Sequence, residues 1–122
     1  MSVETFSLTL LDLVERASAD RPALLAPNQP DLSYQQLRHN ITTLADQLNS
    51  FGLGRGDRIA IVMPNGPALI QTFFAAATAA TAAPLNPKYK QDEFAFYYSD
   101  TQAKALITLP GDAEQAHAAA TD

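Results

Sequence analysis

The sequence predicts an α/β domain whose mostly parallel sheet is flanked by helices and doubly wound. Three observations carry that expectation. Segments of helical periodicity alternate with short apolar runs from residue 34 onward. The run Ile59-Ala60-Ile61-Val62 is apolar without alternation, as in a strand covered on both faces. The connections are long enough for right-handed crossovers between parallel strands. The 122 residues, 47% hydrophobic and 17% charged, suffice for one domain or subdomain spanning 1–122, and that composition excludes intrinsic disorder.

The first helix is expected over residues 7–19, with Ser7 as N-cap and Leu10, Leu11, Val14 and Ala17 on one face, before Asp20-Arg21-Pro22 stops it. Residues 23–26 and 31–33 read as two short strands joined by the turn Pro27-Asn28-Gln29-Pro30, which makes a hairpin. A long helix over residues 34–51 carries Leu37, Ile41, Leu44 and Leu48 on one stripe, turns Arg38, Asn40, Asp46 and Gln47 outward, and has Gly52 as its C′ residue. A strand follows over 58–63. The uncharged stretch from Ala68 to Ala83, mostly alanine, reads as a buried helix packed closely on a sheet. Residues 81–85 form the next apolar run. A helix opens near Gln91 with Asp92 and Glu93 in its first turn and Phe94, Tyr97 and Tyr98 as its buried stripe. Residues 105–109 read as a further strand, and Gly111-Asp112 starts a last alanine-rich helix.

Composition excludes several function classes. The 8 Lys and Arg against 13 Asp and Glu leave a net charge of −5, and the cations (Arg16, Arg21, Arg38, Arg55, Arg58, Lys88, Lys90, Lys104) are scattered singly. No basic stripe exists to neutralise phosphates, so nucleic acid is not an expected partner. The absence of cysteine excludes a disulfide scaffold, a zinc knuckle, an iron–sulfur site and thiol catalysis. His39 and His117 have no second ligand at metal-binding spacing, and each reads as a surface histidine. The uncharged stretch between Arg58 and Lys88 is interrupted by Met63-Pro64-Asn65-Gly66-Pro67, and its helical part falls short of the roughly 20 residues of a membrane span. The start has no basic region followed by an apolar run, so a cytoplasmic setting is expected.

Local motifs yield no catalytic constellation. Gly52-Leu53-Gly54-Arg55-Gly56-Asp57 is glycine-rich, but a helix precedes it and a strand follows, the reverse of a phosphate loop, so it reads as a C-cap and turn. Its Arg55-Gly56-Asp57 spells an adhesion tripeptide without an extracellular context. Asn40-Ile41-Thr42 is a glycosylation sequon placed mid-helix. No Gly-x-Ser-x-Gly elbow occurs. Asp92 and Glu93 are adjacent and face different directions, with Asp100 near the other end of the helix, so these carboxylates serve the helix dipole and solubility. Tyr97 and Tyr98 fit a core stripe with hydroxyls at its edge. From the residues alone, the catalytic set is none, the metal set is none, and cofactor-binding residues stay unassigned.

Three blocks in order nevertheless resemble a known family. Leu32-Ser33-Tyr34-Gln35-Gln36-Leu37, then Gly52-Leu53-Gly54-Arg55-Gly56-Asp57-Arg58-Ile59-Ala60-Ile61-Val62-Met63-Pro64-Asn65, then Ala83-Pro84-Leu85-Asn86-Pro87 resemble the opening of the acyl-adenylate-forming enzymes. That group includes the AMP-dependent acyl-CoA synthetases, the luciferases and the peptide-synthetase adenylation domains. Residues 81–100 look most similar to the oxalate–CoA ligase branch. The resemblance runs from Leu10 to about Leu109.

The resemblance implies the N-terminal subdomain of the adenylate-forming fold and, for a longer parent protein, a two-step ligase. A carboxylate attacks the α-phosphate of Mg-ATP to give an acyl-adenylate and pyrophosphate, and the CoA thiol then displaces AMP. The family's glycine-rich loop ending in Pro-Lys-Gly, its magnesium-coordinating Glu, its ribose-binding Asp and its C-terminal-domain lysine have no counterpart in this stretch, so no catalytic residue transfers. ATP, Mg and CoA are thus implied for the parent and no cofactor for this piece, which is expected to be inactive alone. Pro64-Asn65-Gly66 and Pro84-Leu85-Asn86-Pro87 read as loops after strands, where a ligand crevice can form. The remainder of the parent chain is the implied partner, and self-association through uncovered apolar surface is expected. A peroxisomal parent is compatible with the oxalate branch. The competing expectation is a free-standing α/β binding or regulatory module without catalysis.

Overall fold

The structure is a computed structural model that describes residues 9–15 and 17–121. Ser7, expected as the first N-cap, lies outside the described residues. Helix α1 spans Leu10–Glu15, and at its start the Thr9 hydroxyl accepts from the Asp12 N–H while Asp12 Oδ2 accepts from the Thr9 N–H, both at 3.1 Å. That reciprocal pair satisfies two otherwise orphaned donors. The helix stops at Glu15 and does not reach Ala19, because the backbone beyond it is used elsewhere. The Ala19 carbonyl accepts from the Gln35 N–H at 2.9 Å and the Arg21 carbonyl from the Tyr34 N–H at 3.0 Å, so these residues hold the start of the next helix.

The expected hairpin is present. Strands β1 (Pro22–Leu24) and β2 (Leu32–Ser33) pair antiparallel, with Pro22 opposite Ser33, Leu24 opposite Leu32 and an irregularity between. Helix α2 (Tyr34–Ser50) begins at a capping box in which Ser33 Oγ accepts from the Gln36 N–H and Gln36 Oε1 from the Ser33 N–H. It buries Leu37, Ile41, Ala45 and Leu48. Leu44, expected on that stripe, is half-buried. Gly52 ends the helix at φ 90°, a left-handed conformation that an L side chain resists.

The main sheet has strand order β4-β3-β5, all parallel. Strand β3 (Arg58–Val62) lies in the centre with β4 (Thr81–Pro84) on one side and β5 (Ala105–Thr108) on the other. Ile59, Ile61 and Met63 pack with Ala45 and Leu48 of α2 and with Ala76 and Ala79 of α3 (Pro67–Ala79). Val62 turns to the opposite face and packs with Phe94 of α4 (Gln91–Thr101) and with Ala116 and Ala119 of α5 (Glu114–Ala120). Both faces of β3 are covered, which is why its apolar run has no alternation. The helices on both faces make the fold doubly wound, as the sequence predicted.

Helix α3 buries Thr72, Ala75, Ala76 and Ala79. Small side chains let its backbone approach both the sheet and α2, and it ends at Ala79 so that Thr81 can open β4. Outside this layer, Val14 of α1 packs with Leu37, Ile41 and Ala75, and the hairpin leucines Leu24 and Leu32 lie against the same cluster. Helix α5 starts at Glu114 and not at Gly111-Asp112, because Asp112 N–H closes a turn on the Leu109 carbonyl and Ala113 sits at φ 60°.

Candidate functional site

Strand β3 leads into α3 on one face of the sheet, and β4 leads into α4 on the other. The two loops therefore diverge and leave a crevice outside the carboxyl ends of these neighbouring strands, the place where open α/β sheets bind ligands. The structure has a cleft of ≈ 560 Å³ there. One wall is Met63, Pro64 and Asn65 with Leu69 of α3, and the other is the loop 84–88.

Each wall is fixed by its own chemistry. After Pro64 and Asn65 the chain passes Gly66 at φ 156° and ψ −178°, a region open in practice to glycine alone, and Pro67 then occupies the first position of α3 with its ring pre-set for a helix. On the other wall the Leu85 N–H donates to the Ile61 carbonyl at 2.9 Å, which extends the ladder by one bond. Asn86 Oδ1 accepts from the Lys88 N–H at 2.9 Å and the Asn86 carbonyl accepts from the Tyr89 N–H at 3.1 Å, a turn that an Asn-Pro pair favours. Tyr89 then stacks on Tyr97 with ring centroids 5.0 Å apart and meets Phe94 edge-on at 5.7 Å, which anchors the loop to α4. The hydrogen bond with Tyr97, then burial and the neighbouring Tyr97 and Glu93 charges, hold the Tyr89 hydroxyl above the ordinary tyrosine range.

The cleft presents Asn65, Asn86 and Lys88, all exposed. Among the described residues that line it, Lys88 carries the only charge. It suits an anionic or amide-bearing ligand held between apolar walls. It lacks a carboxylate or imidazole at the lining to act as a general base.

The glycine turn lies at the opposite end of the sheet. Gly52 N–H bonds the Asn49 carbonyl and Leu53 N–H the Leu48 carbonyl, which closes α2, and the Asp57 N–H returns to the Gly54 carbonyl at 2.9 Å. Asp57 Oδ2 accepts from the Gly54 N–H at 2.9 Å and Oδ1 meets Lys104 Nζ at 2.9 Å. The Lys104 hydrogen bond, then the Gly54 N–H, hold the Asp57 carboxyl below its usual range against a smaller opposing effect of burial. The Gly52, Leu53, Gly54 and Asp57 amides are thus spent on protein groups, and the turn is a strap between β3 and β5.

The other singled-out residues stay apart. Asn40 Nδ2 donates to Gln71 Oε1 at 2.7 Å, a bridge between α2 and α3 that occupies the sequon amide. His39 is exposed on α2. Glu93 Oε1 accepts from the Lys90 N–H at the start of α4, while Asp92 and Asp100 are exposed. Tyr98, half-buried, donates its hydroxyl to the Ala116 carbonyl at 2.9 Å, and burial raises its pKa. His117 is exposed but has a partner that sequence reading missed, Thr108, whose Oγ1 lies 2.8 Å from its Nε2. Among the described residues no group of three His, Asp or Glu comes together as a metal-ligand set. No described helix is long and apolar enough to cross a membrane.

Comparison with known proteins places this geometry. The sequence is 39% identical over 119 residues to the probable CoA ligase CCL9 of Humulus lupulus, covering 94% of this chain and 23% of that protein. It is 39% identical over 101 residues to the oxalate–CoA ligase of Arabidopsis thaliana, covering 81% of this chain and 20% of the relative. The chain thus spans about a fifth of the length of these curated relatives. An inhibitor-bound N-terminal domain of FACL13 from Mycobacterium tuberculosis superposes with a TM-score of 0.73 at 30% identity, over 80% of this chain and 25% of that one. The family described as AMP-binding enzyme matches residues 12–122. With sequence, fold and matched span in agreement, the chain belongs to the AMP-binding enzyme family and has the α/β architecture of its N-terminal domains.

Proposed function

We propose that this chain is the N-terminal structural subdomain of an ATP-dependent acyl-CoA synthetase, which converts a carboxylate, ATP and CoA to an acyl-CoA, AMP and pyrophosphate. The acid is a small dicarboxylate, oxalate, a reading supported by the similarity to the Arabidopsis oxalate–CoA ligase. That branch is compatible with a peroxisomal as well as a cytoplasmic parent. The observation that carries the proposal is the cleft at the carboxyl ends of β3 and β4 within a chain matched to the AMP-binding family along nearly its whole length.

In this reading the residues of the chain position and do not react. Asn65 on one wall and Asn86 and Lys88 on the other line a ligand crevice that the remainder of a longer protein completes. Lys88 draws anionic groups towards it. The adenylyl group that activates the acid would come from Mg-ATP held by residues outside this stretch, so the 122-residue chain is inactive alone.

Calorimetric titration of the chain with Mg-ATP and with CoA, at concentrations able to detect a millimolar dissociation constant, tests the proposal. No saturable heat with Mg-ATP, and no AMP formed from oxalate, ATP and CoA, is the expected result. Saturable Mg-ATP binding would overturn it and make the chain a nucleotide module in its own right.

A further inference from the structure

Asn65 is the only asparagine of the chain that a glycine follows, and the fold leaves this pair free while it ties up the others. Strand β3 ends at Val62 and α3 opens at Pro67, so neither element's ladder holds Asn65 or the Gly66 N–H. Asn65 is exposed, and among the described residues neither its side chain nor the Gly66 N–H has a hydrogen-bond partner. The Gly66 carbonyl, by contrast, accepts from the Ile70 N–H at 3.3 Å. No atom lies within 4 Å of the place a Cβ on Gly66 would take, so the flank of this residue is open. The remaining asparagines lack that freedom. The amide after Asn28 closes on the Ala26 carbonyl, those after Asn40 and Asn49 belong to the ladder of α2, and Asn40 itself is bonded to Gln71. Asn86, on the other wall of the cleft, precedes a proline that has no N–H, and its Oδ1 is held by the Lys88 N–H.

We propose that Asn65-Gly66 is a site of spontaneous modification, at which Asn65 is converted to aspartate and isoaspartate through a cyclic imide. The Gly66 nitrogen gives its proton to water or hydroxide and attacks Asn65 Cγ. The N–Cγ bond forms, the Cγ–Nδ2 bond breaks, and Nδ2 leaves with a proton as ammonia. Water then opens the ring. Cleavage at Cγ yields aspartate, and cleavage at the Asn65 main-chain carbonyl carbon yields isoaspartate, with the main chain rerouted through Cγ. Both reacting atoms lie in one loop and solvent water is the sole co-reactant, so no partner chain is required. Glycine supplies the backbone freedom that ring closure demands, and the positive end of α3 favours negative charge on the Gly66 nitrogen and then on the new carboxylate. Either product puts a carboxylate into a cleft where Lys88 is the only lining charge among the described residues. That change matters to a ligand only where the cleft is the site proposed above, whereas the conversion itself does not rest on that reading.

Peptide mapping by mass spectrometry of the folded 122-residue chain, aged in mildly alkaline buffer, tests this. Asn65 and Asn86 share the tryptic peptide 59–88, and fragment ions separate them. The expected result is conversion at Asn65 at least about tenfold faster than at any other asparagine. The rate should rise with pH, and the products should include isoaspartate, which enzymatic isoaspartyl methylation detects. Asn65→Gln, an exposed change that should keep the far-UV circular dichroism spectrum, is expected to abolish the growth of the more acidic species in isoelectric focusing. An acidic species that persists in folded Asn65→Gln places the reaction elsewhere and overturns the proposal. So does aspartate without isoaspartate at position 65, the mark of direct amide hydrolysis. A rate more than about a hundredfold below that of an unstructured peptide of residues 62–69 would show that the fold holds the pair apart, and it overturns the proposal equally. None of these readouts involves a ligand, so their failure is distinct from that of the binding experiment above.

Discussion

The two ends of the parallel sheet are built from the same three strands, yet their polar groups are used in opposite ways. At the amino end, the Gly52-to-Asp57 turn gives amides to the last carbonyls of α2, to the Gly54 carbonyl and to the Asp57 carboxylate, and Lys104 ties that carboxylate to the approach to β5. At the carboxyl end, Asn65, Asn86 and Lys88 are exposed on a cleft, and their loops are held by proline, by one Asx turn and by an aromatic stack. A glycine-rich loop is thus no guide to the site here. What decides is which end of the strands a loop occupies, since only the carboxyl end has loops that diverge to opposite faces.

Substitutions sort along that contrast. Ile61 is fully buried in the strand that both ends share, so Ile61→Ala is expected to destabilise the chain by about 2–5 kcal/mol in urea unfolding. A loss well below that range would mean that the ends are held independently of β3. Gly52→Ala at the amino end meets no atom within 4 Å of the added Cβ, and its cost is the backbone conformation alone, about 1–2 kcal/mol. An unchanged unfolding midpoint would show that the turn is not held at positive φ.

Acid separates the ends further. The folded Asp57 carboxyl lies below its unfolded value, so its stabilisation is complete above the unfolded carboxylate range and drains away as pH falls through the folded value. The stability difference between wild type and Lys104→Met should therefore be greatest near neutral pH and shrink in strong acid. A difference that does not vary with pH would rule out the ion pair as its source. The Tyr89 hydroxyl is shifted the other way. Its contribution is present below the unfolded tyrosine range and is lost as pH rises through the folded value, so Tyr89→Phe should flatten the alkaline limb of the stability profile. The smallest effects belong to the cleft. Asn65→Ala and Lys88→Ala should each change stability by no more than about 0.5 kcal/mol, and a larger loss by thermal unfolding would make these residues part of the frame.

Much of this frame was legible because the pattern that builds it is local. Ile59 to Val62 announced a strand covered on both sides, Gly52 a helix end, and the alanine-rich stretch after Pro67 a closely packed helix. The early stop of α1 was not legible. It depends on Ala19 and Arg21 giving their carbonyls to Gln35 and Tyr34, a long-range use of backbone that no periodicity encodes. The late start of α5 was not legible either, for a local reason: Ala113 takes a left-handed conformation that alanine disfavours. At the site, the Pro-Asn composition marked both loops as turns. Their meeting across one cleft depends on the strand order β4-β3-β5, and so does the entry of Lys88 as its charge.

That strand order also sets a schedule for folding. β3 lies between two partners that both come later in the chain, and the more distant of them, β5, is reached only after the chain has passed through β4 and carried α4 over β3 to its other side. Until residues 104–108 arrive, one side of β3 has its hydrogen-bonding groups unmatched. Joining it closes a long loop before any reward is gained, the feature that slows folding in proteins rich in non-local contacts. During synthesis, α2, α3 and the β3–β4 pair can assemble first, and the chain carries an open apolar strand until residues 104–108 have emerged.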